Sequence, residues 1–191
     1  VEEKMTKKIR TSLIIIMALC FSFSFSGCGY NTMVSLDEGV KSAWGQIETQ
    51  LQRRMDLIPN YVETVKGYAA HEKETFIQVT EARSKVAGAG SIPEKIQANN
   101  QLTSALSRLM VVVERYPDLK ANQNFIALQD ELAGTENRIS VARMRYNEAV
   151  KAYNVSIRKF PQNIIANMFD FKRAEFFEAP KEAKEVPKVK F

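Results

Sequence analysis

His71 is the only histidine of the chain, so any histidine-dependent relay or metal site would have to centre on it. Glu72 and Glu74 stand close enough in sequence to add carboxylate ligands. Consecutive residues of a helix do not face one another, however, and no second histidine is present to build a nitrogen-rich site. His71 is therefore expected to be a structural or surface residue, with no metal and no cofactor. No serine sits in a Gly-x-Ser-x-Gly elbow, and no Gly-x-x-x-x-Gly-Lys loop offers backbone amides to a phosphate. Carboxylate pairs such as Glu72 and Glu74 read as a solvated helix face. The sequence thus predicts no catalytic residues and a protein that is not an enzyme.

Three other groupings carry chemistry. Arg53, Arg54 and Asp56 cluster just before Pro59. Arg53 and Asp56, three residues apart on a helix, can pair on one face, while Arg54 points elsewhere, near the apolar stripe. The cluster reads either as a polar patch facing a partner or as a cross-helix network with Glu136 or Asp130 that sets helix register. Asn147 and Asn154 follow Tyr146 and Tyr153 at a seven-residue repeat, which suggests tyrosines packed inward with their hydroxyls reaching a partner. At the other end, Val189 and Phe191 alternate with Lys188 and Lys190, the period of an extended strand. Such a segment suits strand-adding peptide-binding domains, which capture backbone, alternate side chains and a terminal carboxylate.

Cys28 belongs to a different chemistry. Lys7, Lys8 and Arg10 precede an apolar run from Leu13 to Phe25, followed by Ser26, Gly27 and Cys28. A positive end, a short apolar middle and small residues at the cut are the parts of a secretory signal. Thirteen residues of helix reach about 20 Å, short of a ~30 Å hydrocarbon core. Ser26-Gly27-Cys28 resembles the lipobox of bacterial lipoproteins, whose cysteine is acylated before cleavage, although Phe25 replaces the usual Leu. An uncleaved signal anchor is the alternative. In either case the positive-inside orientation sends everything after Cys28 out of the cytoplasm. The expected address is the exported side of a bacterial cell envelope, as an outer-membrane or cell-membrane lipoprotein attached to the membrane through lipid on Cys28.

The chain as a whole has 27 basic and 22 acidic residues. Without residues 1–27 these fall to 23 and 20, a balance that argues against a nucleic-acid partner. Apolar residues from Leu36 through Val86 fall mostly three or four apart, which predicts one helix to about Val86 that continues through a kink at Pro59. Ser91, Pro93 and Glu94 start a second helix that stops at Tyr116-Pro117-Asp118. A third is expected from Asn122 to Lys159, and a short fourth from Ile164 to Phe171 that folds Phe169 and Phe171 back. The fold expected is all-α, an elongated up-and-down bundle of about four helices with one very long, Pro-kinked first helix. Its parts are a signal peptide at 1–27, a lipid-anchored linker at 28–33, a bundle at 34–177 and a flexible charged tail at 178–191.

Several segments resemble, in order, the signature segments of the LemA family. They include Tyr30-Asn31, Gln50 to Asn60 and Val65 to Glu72. They continue with Glu114 to Asn122, Thr135 to Arg138, Tyr146-Asn147, Tyr153-Asn154 and Phe160-Pro161. The Pro-x-Val-x-Phe ending is similar too. The resemblance implies a membrane-associated bundle of long helices, a family with no generally established activity, and a branch associated with magnetosome membranes. Many members keep an N-terminal transmembrane segment, from which Cys28 behind a short apolar run departs. Together these readings predict a membrane-tethered scaffold or docking partner for other envelope proteins, or one that self-associates, with Arg53, Arg54, Asp56, Val189 and Phe191 as candidate contacts. The alternative is a membrane-shaping or lipid-binding helical module.

Overall fold

A computed structural model describes the backbone of residues 2–177 and the side chains of residues 29–177. The described chain contains six helices and no strand: α1 (Glu2–Lys66), α2 (Lys73–Gly88), α3 (Ile92–Val113), α4 (Pro117–Lys120), α5 (Gln123–Ser156) and α6 (Gln162–Met168). The all-α expectation holds. The count exceeds the expected four by two: Pro117, suited to a first helical position, opens a one-turn helix where α3 has stopped, and the expected first helix is divided into α1 and α2.

The first helix does not reach Val86. It ends at Lys66, and residues 67–72 form a turn before α2. The last turn tightens, with the Tyr68 amide donating to the Val65 carbonyl at 3.1 Å. Glu72 is then tied to Arg115 at 2.8 Å, and the Asn122 side chain donates to the Tyr68 hydroxyl at 2.9 Å. The reversal lets Phe76, Val79, Ala82 and Val86 of α2 pack with Leu102, Leu106, Leu109 and Val113 of α3. A straight continuation would leave that stripe in water, at roughly 1.5–3 kcal/mol for each large apolar side chain. Ser91 caps α3 through a reciprocal capping box with Glu94, as its sequence suggested.

The described residues fall into two compact helical units. Of these, residues 2–42 join Glu148–Ala174 in the first, and Ala43–Asn147 join residues 175–177 in the second. In the first unit, residues 28–33 are helical, where a linker was expected. The reason is packing: Met33 is fully buried, and the Tyr30 ring lies 4.7 Å from that of Phe169 and 5.8 Å from that of Phe171. Both phenylalanines thus fold back, as expected. In the second unit the core runs from Ile58, Tyr61, Val62 and Val65 of α1 through α2 and α3 to Leu119 and Phe125, whose ring stacks on Tyr61 at 5.2 Å. The Cys28 side chain and the tail with Val189 and Phe191 lie outside the described residues.

Candidate functional site

Pro59 lies inside α1, where its missing N–H deprives the carbonyl four residues earlier, that of Met55, of a helical donor. Arg83 of α2 supplies one, its Nε donating to the Met55 carbonyl at 2.9 Å. Beside it opens a groove of about 720 Å³ lined by Glu48, Gln52, Arg53, Asp56, Arg83 and Lys95, among others. Each cation here is engaged. Arg83 serves the Met55 carbonyl, Lys95 pairs with Glu48, and Arg53 Nη2 pairs with Glu131 Oε1 at 2.7 Å. The hydrogen bond from Lys95 holds the Glu48 carboxyl below its ordinary range, against the opposing effect of its partial burial.

The expected pair of Arg53 with Asp56 does not form. Arg53 reaches across to Glu131 of α5, which Arg138 also contacts at 2.8 Å, and Asp56 accepts from Gln52 Nε2 at 2.8 Å. A carboxylate on a facing helix, already flanked by a second arginine, displaces the local three-residue pair.

Arg54 is 4% exposed. Its Nη1 donates to Asn99 Oδ1 at 3.1 Å and Thr103 Oγ1 at 3.0 Å on α3, and lies 2.7 Å from Glu136 Oε2 on α5. Burial lowers the arginine's affinity for its proton, and Glu136 acts in the opposite sense. One guanidinium therefore ties α1, α3 and α5, with Glu136 as the cross-helix partner named from the sequence. Arg54 is not at the surface, which removes it from a patch facing a partner.

The second cluster grips the chain after α6. Asn147 holds Phe177 on both sides: its Oδ1 accepts from the Phe177 amide at 2.8 Å and its Nδ2 donates to the Phe177 carbonyl at 3.1 Å. Phe177 is buried, with the Arg143 guanidinium 4.2 Å from its ring centroid and Trp44 at 6.4 Å. The Tyr146 hydroxyl donates to the Glu175 carbonyl at 2.9 Å, and its ring meets Trp44 edge-on at 5.5 Å. In the first unit Asn154 grips Ala174 in the same two-sided way, at 3.0 and 2.8 Å. Seven helical residues rise about 10.5 Å, and three residues of extended chain reach about 10 Å. The heptad of asparagines thus matches a three-residue step in the segment it binds.

His71 is exposed in the turn 67–72, and its neighbour Glu72 is taken by Arg115. Among the described residues no group of three His, Cys, Asp or Glu is placed to hold a metal ion, and no helix is long and apolar enough to cross a membrane. The sequence reading missed Arg83, Arg143 and the partners of the asparagines. Pro59 was the available signal for the first, and the repeat of Tyr-Asn for the last.

A sequence model of the LemA family matches residues 43–191. The chain is 30% identical over 175 residues to magnetosome protein MamQ 2 of Paramagnetospirillum magneticum, covering 78% of this chain and 64% of that protein. It is 28% identical over 174 residues to magnetosome protein MamQ of Magnetospirillum gryphiswaldense, again with 78% and 64% covered. Protein LemA of Metamycoplasma hominis is 26% identical over 160 residues, with 83% of this chain and 73% of that protein covered. The chain thus spans less than two thirds of the length of its magnetosome relatives.

Proposed function

We propose that this chain, which belongs to the LemA family, is a membrane-tethered, non-enzymatic envelope protein that presents its C-terminal tail to another envelope protein. The observation that carries the reading is the two-sided grip of Asn147 on buried Phe177. It gives residues 178–191 a defined point of departure from a helical body, which a docking peptide needs. The family match runs through that tail to residue 191. Its Val189 and Phe191 alternate with lysines in the pattern that strand addition reads, backbone hydrogen bonds giving affinity and pockets for alternate side chains giving specificity. The magnetosome relatives carry a membrane compartment in their names, and the short apolar run before Cys28 supplies a tether here.

The internal polar groups fit a scaffold. Arg53, Arg54, Arg83, Asn147 and Asn154 all face partners within the chain, where they hold helices and backbone in place. Arg53 and Asp56 remain at the surface beside the groove as a second candidate contact.

A photo-crosslinking residue at Lys190 in the intact envelope tests the proposal. Removing residues 189–191 should abolish crosslinks made through a second reporter at Lys184 and leave the melting temperature unchanged. A lowered melting temperature with every crosslink retained would make the tail part of the fold instead. Mass spectrometry of the membrane-extracted protein tests the tether independently: an acylated N-terminal Cys28 is expected, and an N-terminus intact near Met5 refutes lipidation.

A further inference from the structure

The corner where α5 gives way to α6 leaves large apolar side chains in water. Phe160 is 81% exposed, Met168 72%, Phe169 55% and Ile164 54%. Residues 160, 164 and 168 are four apart, so on α6 Ile164 and Met168 share the outward face. The inward face is different: Ala166 is buried, and Ile165 packs on the backbone of α1 at Gly29, where an added Cβ would come within 3.0 Å of its Cδ1. The projecting residues are therefore not a poorly closed core. They form a convex group on the outside of a packed helix.

Their charged surroundings have one sign. Arg158, Lys159, Lys172 and Arg173 are all exposed around the corner, and from residue 155 to 174 the only acid is Asp170, which pairs with Lys172 at 3.1 Å. Elsewhere in the chain basic and acidic residues are interleaved, with 27 against 22 overall. Aromatic and aliphatic side chains projecting from a basic rim are what an amphipathic membrane-surface element presents, with the apolar group entering the acyl boundary and cations meeting anionic headgroups. The corner also lies beside the segment that carries the tether. Gly29, on which α6 packs, directly follows Cys28, which stands three residues after the end of the apolar run from Leu13 to Phe25, and the Tyr30 ring lies tilted against that of Phe169.

We infer that the α5–α6 corner is a second membrane-contacting site, at which Phe160, Ile164, Met168 and Phe169 enter an anionic lipid surface and Arg158, Lys159, Lys172 and Arg173 bind its phosphates. The inference rests on the tethered reading above and adds to it. A tether through residue 28 alone would let the body swivel, whereas a second contact beside it fixes how the helices stand on the bilayer.

The test uses the chain extracted from the envelope with its own N-terminus and returned to vesicles. Trp44, the single tryptophan, is replaced in Trp44→Phe, and Met168→Trp supplies the reporter, with helicity checked by circular dichroism. In vesicles of phosphatidylcholine and phosphatidylglycerol, Met168→Trp should emit blue-shifted light and lose most of its intensity when the phosphatidylcholine is brominated. In pure phosphatidylcholine, or after Arg158→Gln with Lys159→Gln, that loss should diminish. Flotation distinguishes the two claims. Vesicles that carry the chain while the reporter stays unquenched would leave the tether standing and overturn the corner. An unquenched but blue-shifted reporter with chain-to-chain crosslinks would show a second copy covering the corner, also overturning it. A chain that fails to float would refute tether and corner together.

Discussion

The bond from Arg83 to Met55 invites a thermodynamic cycle with Pro59. A proline inside a helix costs about 3 kcal/mol relative to alanine, part of it for the carbonyl left without a donor. Here that carbonyl has a charged donor from another helix, at 2.9 Å. Arg83→Met keeps most of the side-chain stem and removes the donor, leaving a half-buried carbonyl unsatisfied at a cost of about 1–2 kcal/mol. In a chain of this size each kcal/mol moves the melting temperature by about 2–4 °C, so a fall of about 2–8 °C is expected. In Pro59→Ala the new amide at position 59 can bond the Met55 carbonyl itself. That variant should keep its fold and be more stable by roughly 1–3 kcal/mol, and so melt higher. Adding Arg83→Met to it should then cost less than about 0.5 kcal/mol, because the carbonyl no longer depends on arginine. The coupling between the two positions is thus expected to be about 1 kcal/mol, readable by far-ultraviolet circular dichroism during thermal unfolding. An equal cost of Arg83→Met in both backgrounds would refute the account, and loss of helicity in Pro59→Ala would show that the proline itself is required.

Around Arg54 the two halves of the ion pair should not be equivalent. Glu136→Ala strands a buried guanidinium and is expected to cost about 3–5 kcal/mol, whereas Arg54→Met strands Asn99 and one buried oxygen, Oε2, of a Glu136 side chain that is otherwise 38% exposed and can turn to water, at about 1–3 kcal/mol. Urea unfolding of both variants decides it, and the reverse order would refute the reading. Asn147→Asp keeps the acceptor for the Phe177 amide but sets a carboxylate against the Phe177 carbonyl. A loss of about 1–3 kcal/mol at neutral pH is expected, partly recovered in acid where the carboxyl can donate, with Trp44 fluorescence reporting release of Phe177. Glu48 has a depressed folded pKa, so its pairing with Lys95 stabilises the fold above the unfolded value of ~4.3 and is lost as pH falls through the folded one. Because the carboxylate is substantially exposed, Glu48→Gln should cost less than about 1 kcal/mol at neutral pH and nothing in acid below both values; a gap that persists there would contradict the linkage.

These side chains also show where reading the sequence stops. The helices were legible because their apolar stripes repeat locally, and so was the Ser91 start, whose capping box lies within four residues. The turn at 67–72 was not, because Ala69 and Phe76 stand seven residues apart, two helical turns, and so preserve the phase of a stripe that in fact reverses. Once that reversal is missed, the donor to Met55 cannot be found. Pro59 announces an orphaned carbonyl, but Arg83 reaches it only after α2 has folded back. Arg53 fails for the related reason that Glu131, distant in sequence, competes with Asp56 three residues away. Long cations choose among several partners after the helices have packed, so spacing alone does not assign them. A short amide is more constrained. Asn147 and Asn154 each bind backbone within reach of a two-atom stem, and a heptad of such residues demands a partner that repeats about every 10 Å. A helix partner would repeat seven residues on, whereas an extended chain repeats after three. The interval between Ala174 and Phe177 is that shorter step, so the Tyr-Asn repeat of α5 encodes the path of the chain that follows α6 as well as the packing of its own tyrosines.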